Sequence, residues 1–391
     1  MKGGRRIGDG LGDGAALAEG GGGGLECATT RGPRGVHAES TINTPASSAV
    51  LMLAFTCGTA ELLREQIPCG ARLNHVEMEK LDGIHHISAI TADATKNLLF
   101  YEGVLGLRLV KKTVNQDNPT IYHLFYADEE GSPGADLTFF EYPGLARGRA
   151  GAGMIHRIAL RVASHEALEF WARRLASAGI ESILEGDSLR FNDPEGLGLE
   201  LTAQPSADRP LLAEHPEIPR QFALQGFAGV RAYERHKGAS HRFLTEVLGF
   251  AGSDVFSFES RGESRGSYYV YDPAPEARGL GGAGTVHHVA WASTMEDHES
   301  WRDRVIAGGG DPTPVIDRFY FRSIYFREPS GVLFEIATKG PGFTSDEPKE
   351  HLGEKLSLPP AFEHLRAQVE ANLTPLPNLR LQAARKTSAA G

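Results

Sequence analysis

The chain has 391 residues, of which 41% are hydrophobic and 23% charged, and its formal net charge is −10. That length allows two ordinary domains around a large buried core, and the acidic balance argues against a broad nucleic-acid-binding surface. No apolar run approaches the ~20 residues of a membrane span, and the three cysteines (Cys27, Cys57 and Cys69) all lie near the N-terminus, which excludes a disulfide framework or thiolate metal site from the main body. A cytoplasmic protein without nucleic-acid or membrane partners is expected, and the sequence leaves homo-oligomerisation open.

Residues 1–77 contain an unbroken glycine run, Gly20 to Gly24, and no sustained periodicity. They are expected to be a disordered, dispensable extension, because such a segment loses much entropy on ordering and buries little. From residue 83 a repeat sets in. Residues 83–143 open with the strand GIHHISAIT, continue through the helical NLLFYEGVLGL and add strands that include YHLFYAD and ADLTFFEYP. Residues 153–204 open with MIHRIALRV, pass through a helix around FWARRLASAG and close with NDPEGLGLELTA. Residues 224–273 return to the first pattern, FLTEVLGF echoing FYEGVLGL, and residues 283–340 return to the second, with GTVHHVAWAS, a helix around SWRDRVIAGGG and REPSGVLFEIAT. Period-two alternation marks the strands, three- and four-residue apolar steps mark the helices, and Gly106, Gly179 and Gly249 are the expected C-caps. The expectation is an α+β protein of four strand–helix–strands units, grouped as an N-terminal domain 83–204 and a C-terminal domain 224–340. A tail, 341–391, carries one helix near Pro360 to Ala371.

Three residues stand out by chemistry and position. His86 lies in the opening strand of unit one, His288 in the opening strand of unit four, and Glu335 in that unit's last strand. Two imidazoles and a carboxylate on strands make a two-His-one-carboxylate metal set with coordination positions left open. The repeat supplies controls. Arg157 aligns with His288, unit three has no histidine in its opening strand, and Glu200 aligns with Glu335 but lacks histidine partners. The set survives only in units one and four, which predicts that these outer units face each other around the metal. Adjacent histidines alternate across a regular strand, so His85 and His86 should not both ligate, and periodicity alone does not choose between them.

GIHHIS, YEGVLGLRLVKKTVNQD, YHLFYADEEGSPG, HHVAW, DRFYFRSIYFREPSGVLFEIAT and PGF together resemble the ring-cleaving dioxygenases of the vicinal oxygen chelate superfamily, over about residues 80–360. The branch most similar is that of 2,6-dichlorohydroquinone 1,2-dioxygenase and the hydroquinone-specific enzymes. The resemblance implies four βαβββ units with units one and four forming the metal cup. It also implies iron(II) held by the second histidine of each pair and the glutamate of FEIAT, here His86, His288 and Glu335. His85 and His287 would line the site with Arg318 and Tyr325.

The reaction this implies is O2-dependent cleavage of a small aromatic diol. Bound at the metal, the diol hydroxyl would ionise. His287 is then a candidate acid–base group, Tyr325 a hydrogen-bond partner for substrate or oxygen, and Arg318 a group that neutralises charge on substrate or product. Two rivals share the fold, a glyoxalase-like metal-dependent lyase or isomerase and a non-catalytic aromatic-ligand-binding protein. The lyase usually has a fourth protein ligand, and unit one's closing strand offers Thr138 or Phe139 at the aligned place, with Glu141 nearby. Gly279, Gly281 and Gly284 fit a dinucleotide fingerprint in spacing only, since a strand follows where a helix is required.

Overall fold

The computed structural model describes residues 79–382, so the extension expected at 1–77 lies outside the described residues. The first module runs β1 (Ile84–Thr91), α1 (Ala94–Leu98), a π-helical turn over Leu99–Val104, β2 (Arg108–Asn115), β3 (Asn118–Ala127) and β4 (Asp136–Glu141). The second runs β5 (Ile155–Arg161), α2 (His165–Ser177), β6 (Ser182–Glu185), β7 (Ser188–Asn192) and β8 (Gly198–Thr202). The third has β9 (Phe227–Glu234), a π-helical segment Phe243–Val247, β10 (Ala251–Gly252), β11 (Ser257–Arg261) and β12 (Gly266–Pro273). The fourth has β13 (Val286–Ser293), α3 (His298–Ala307), β14 (Ile316–Asp317), β15 (Phe321–Arg327) and β16 (Leu333–Pro341). Each is a βαβββ module, as expected.

Local chemistry accounts for the helices. Asp93 caps α1 by accepting from the Lys96 amide, and Ser164 caps α2 by accepting from Ala167. In α2, Leu168, Trp171 and Leu175 form the buried stripe at three- and four-residue steps. The chain turns out of the helices at Gly106, Gly179 and Gly249, whose φ values of 69°, 74° and 72° favour glycine.

The strands form two eight-stranded mixed sheets. One has the order β14-β15-β16-β13-β1-β4-β3-β2 and the other β10-β11-β12-β9-β5-β8-β7-β6. Modules one and four therefore share a sheet, joined at its centre by the antiparallel pair β1/β13, while two and three share the other through β5/β9. Alternation along β13 divides its residues: Val289 and Trp291 enter the main core, and Ala290 joins a smaller cluster with Phe125, Tyr320, Phe321 and Phe343 on the opposite face. That second face carries the candidate site. Among the described residues no helix is long and apolar enough to cross a membrane.

After β16 the chain follows β2, the outermost strand of the first sheet. The Ser357 amide donates to the Lys112 carbonyl at 2.9 Å, and Arg108 donates to the carbonyls of Lys349 and Glu350 at 3.0 and 3.2 Å. Lys111, fully buried, donates from Nζ to the Phe343 carbonyl at 3.2 Å, to Asp346 at 2.7 Å and to Glu347. A short 3₁₀ turn, Pro360–Leu365, leads into α4 (Arg366–Asn372). This segment covers an edge that would otherwise offer unpaired backbone groups.

Further along, Arg380 lies 3.9 Å from Glu102 in the first module's π-helical turn. Burial pushes the Glu102 carboxyl up to about 7, against the pull of Arg380, Arg108 and Lys112. The folded state thus holds a proton that the unfolded chain releases at its ordinary carboxyl pKa, and stability falls as pH rises through that interval. Glu102→Gln is expected to stabilise the fold at pH 8 by roughly 1–3 kcal/mol and to give no gain at pH 4. Urea midpoints at the two pH values check this, and equal midpoint shifts would contradict it.

Candidate metal centre

Each histidine pair sits at a β-bulge. Along β1/β13, Ile84 faces Trp291 and His86 faces Ala290, so His85 is the extra residue on β1; Ser88 faces His288 and Ala89 faces Val286, so His287 is the extra residue on β13. A bulge breaks alternation and re-aims side chains. Both imidazoles of a pair consequently meet, Nδ1 to Nδ1, at 2.9 Å for His85 and His86 and at 2.7 Å for His287 and His288. Sequence periodicity, which assumes a regular strand, gave no access to this arrangement.

Register brings in the third group. Glu335 on β16 faces Ala290, two residues beyond His288. The corresponding positions in the other modules are Thr138 facing Ser88, Glu200 facing Ala159 and Val270 facing Arg231. In the second sheet, Arg157 stands where the first has His288, and Gly229 where it has His86. A Cβ on Gly229 would lie 2.3 Å from the Tyr268 ring, so that ring fills the space an imidazole would need. Glu200 accepts from Ser188 and lies 4.0 Å from Arg157, with no imidazole beside it.

The first sheet does converge. His86, His288 and Glu335 are all buried, and each offers a ligand atom within 4.8 Å of the others. Nε2 of His86 is 3.2 Å from Nε2 of His288, and Glu335 Oε2 lies 3.2 and 2.9 Å from these two nitrogens. The other carboxylate oxygen, Oε1, accepts from Ser323 Oγ, whereas Oε2 is buried without a hydrogen bond despite its proximity to the imidazoles. Burial would raise the Glu335 pKa, but His86 and His288 outweigh it and hold the carboxyl well below the usual range.

A chain of hydrogen bonds fixes how His86 presents itself. His85 Nε2 lies 3.1 Å from the Thr338 carbonyl, which only accepts, so this nitrogen carries the proton. Burial, with His86 alongside, pushes the His85 pKa down to about 3, so the ring is neutral near pH 7 and its Nδ1 is an acceptor. His86 Nδ1 must then donate to it, leaving a lone pair on Nε2, the atom that faces His288 and Glu335. Two Nε2 atoms and an orphaned carboxylate oxygen, about 3 Å apart, are spaced as the donors of one first-row ion with bonds of about 2.1 Å. The residues fit a metal.

The remaining expected site residues gather at the same place. Tyr325 packs edge-on to His288, with ring centroids 5.7 Å apart, and its hydroxyl accepts from Arg318 Nε at 3.3 Å. Burial raises the Tyr325 pKa, and Glu335 adds to the effect, so the hydroxyl keeps its proton. His287 is the exposed member of its pair and packs against Phe140.

Sequence reasoning missed His123. It lies between Phe125 and Phe140, at centroid distances of 3.9 and 4.2 Å, and its Nε2 is 3.0 Å from Thr138 Oγ1, which also meets Ser88 Oγ at 2.7 Å. The alternation of His123 with Phe125 along YHLFYAD was the available signal. Glu141 belongs elsewhere, accepting from the Ala94 amide at the start of α1. Thr138 thus holds the position where a fourth carboxylate ligand would align.

Paired βαβββ modules in which one sheet carries the donor set and the other has lost it define a metal-binding class of the vicinal oxygen chelate type. The chain belongs to the Glyoxalase/Bleomycin resistance protein/Dioxygenase superfamily, whose family model matches residues 83–201 and 232–336. It is 41% identical over 314 residues to MhqA of Bacillus subtilis, assigned as a ring-cleaving dioxygenase, covering 76% of this chain and 99% of MhqA. It is 30% identical over 309 residues to the chlorohydroquinone/hydroquinone 1,2-dioxygenase of Sphingobium indicum, covering 74% and 95% of the two chains. A crystal structure of a B. subtilis protein assigned as a dioxygenase superposes with a TM-score of 0.72 at 38% identity, over 77% of this chain and 99% of that one.

Proposed function

We propose that this chain is an iron(II)-dependent dioxygenase that cleaves the ring of a hydroquinone- or catechol-type diol with O2. The observation that carries the reading is the three-donor set itself, with Thr138 rather than a carboxylate at the fourth aligned position. His86, His288 and Glu335 would hold the iron, whose chemistry is to bind diol and O2 together and lower the pKa of the diol hydroxyl. The two halves, 83–204 and 224–340, are read as duplicated pairs of modules.

The chain's own groups have separate tasks in this reading. His85 orients His86 through the Thr338 carbonyl, and Ser323 orients Glu335. His287 stands on the open side of its pair, where it would accept at Nδ1 from His288 and present Nε2–H to the substrate; burial and the neighbouring His288 push its pKa down to about 3, so it is neutral near pH 7. The protonated Tyr325 hydroxyl donates to the substrate oxygen nearest His288, and Arg318 holds that hydroxyl in place. Phe140 and Phe321 pack beside the imidazoles and exclude water from the reacting ring. The test is anaerobic loading with iron(II) followed by oxygen-uptake assays across catechols and hydroquinones. Stoichiometric oxygen consumption with a ring-opened product is expected. Turnover of methylglyoxal–thiol adducts without oxygen, together with inert diols, would overturn the reading.

A further inference from the structure

Beside the three donors lies a cleft walled by Phe125, Phe140, Phe321, Tyr320 and His123. Arg318 is the one Lys or Arg among its lining residues, and three of the five N–H donors of its guanidinium are already engaged. Nη1 and Nη2 donate to the two carboxylate oxygens of Asp117, each at 3.0 Å, and Nε donates to Tyr325 Oη at 3.3 Å. The guanidinium also lies over the Tyr325 ring, 5.4 Å from its centroid. Burial works against the charge on Arg318, but Tyr325 and Asp117 outweigh it and raise its pKa, so it stays a cation.

Asp117 reaches this position from the tip of the β2–β3 hairpin. Its own amide donates to Asn115 Oδ1 at 2.9 Å, and the neighbouring Gln116 Nε2 donates to the Arg318 carbonyl at 2.8 Å. The hairpin tip is thus tied to Arg318 at side chain and backbone together. The Asp117 side chain is 73% exposed and that of Arg318 only 18%, so the pair closes the cleft from its solvent side.

A ring substituent bearing a carboxylate therefore has two options. With the diol oxygens on the metal, it is either buried among aromatic walls beside a guanidinium already paired with Asp117, which is unfavourable for a charge, or it displaces an aspartate held in place by its own chain. An uncharged substituent meets neither cost. We infer that Asp117 is a specificity-determining residue, which reserves Arg318 and so selects aromatic diols with uncharged ring substituents over those carrying a carboxylate. This rests on the diol reading of the site.

Calorimetric titration of the anaerobic, iron(II)-loaded protein with methylhydroquinone and with 2,5-dihydroxybenzoate tests it. The wild type is expected to bind the carboxylated diol at least about tenfold more weakly, and Asp117→Asn to shrink that ratio about tenfold or more by freeing the guanidinium. Adding Arg318→Gln to Asp117→Asn should restore the discrimination, which a loss of structure would not do. An unchanged ratio in Asp117→Asn, a wild type that prefers the carboxylate, or no binding of either diol would overturn the inference. Because binding is read, diols that bind without consuming oxygen would count against the reaction and not against Asp117.

Discussion

Alanine at His86, His288 or Glu335 is expected to abolish retention of iron through dialysis, while Glu200→Ala keeps near-normal metal content. Each of the three contributes one of the converging atoms, and among the described residues the converging group consists of these three. Partners that merely orient a ligand are worth roughly 10–100-fold in affinity, so losing a ligand should exceed about 100-fold. Glu200 shares the register position of Glu335, but its surroundings are Ser188 and Arg157, with Gly229 and the Tyr268 ring where an imidazole would stand. Elemental analysis of dialysed protein reads the outcome directly. A second readout is the thermal shift on adding iron(II), which follows mass action and should vanish in the three variants. Iron retained by Glu335→Ala and lost from Glu200→Ala would reverse the assignment of the two sheets.

Replacing iron by zinc is expected to eliminate oxygen consumption while leaving the fold and the occupied site intact. The donor set of two imidazoles and a carboxylate accepts either ion, so binding alone does not separate them. Activation of O2 needs a redox-active ion, whereas a lyase using Lewis-acid catalysis tolerates a redox-silent one. Within the same experiment, Tyr325→Phe and His287→Ala should lower turnover far more than iron content, because neither side chain belongs to the converging set. Full turnover with zinc would remove the dioxygenase reading and leave the metal site standing.

The sequence by itself determined the repeat of βαβββ modules and the pairing of outer with outer. Those features follow from periodicity within a strand or helix and from residue type at a repeated position: histidine at 86 and 288, arginine at 157, glutamate at 200 and 335. Within each HH pair, periodicity left the choice of ligand open and family resemblance made it. Only the tertiary structure decided how both imidazoles of a pair come to face one another, because a bulge is a property of two strands in register and not of either alone. It also decided the proton on His86, which depends on a carbonyl at Thr338, 253 residues beyond His85. The state of Arg318 depends likewise on an aspartate 201 residues earlier. Such groups meet through chain reversals whose lengths and angles leave no periodic trace in the sequence.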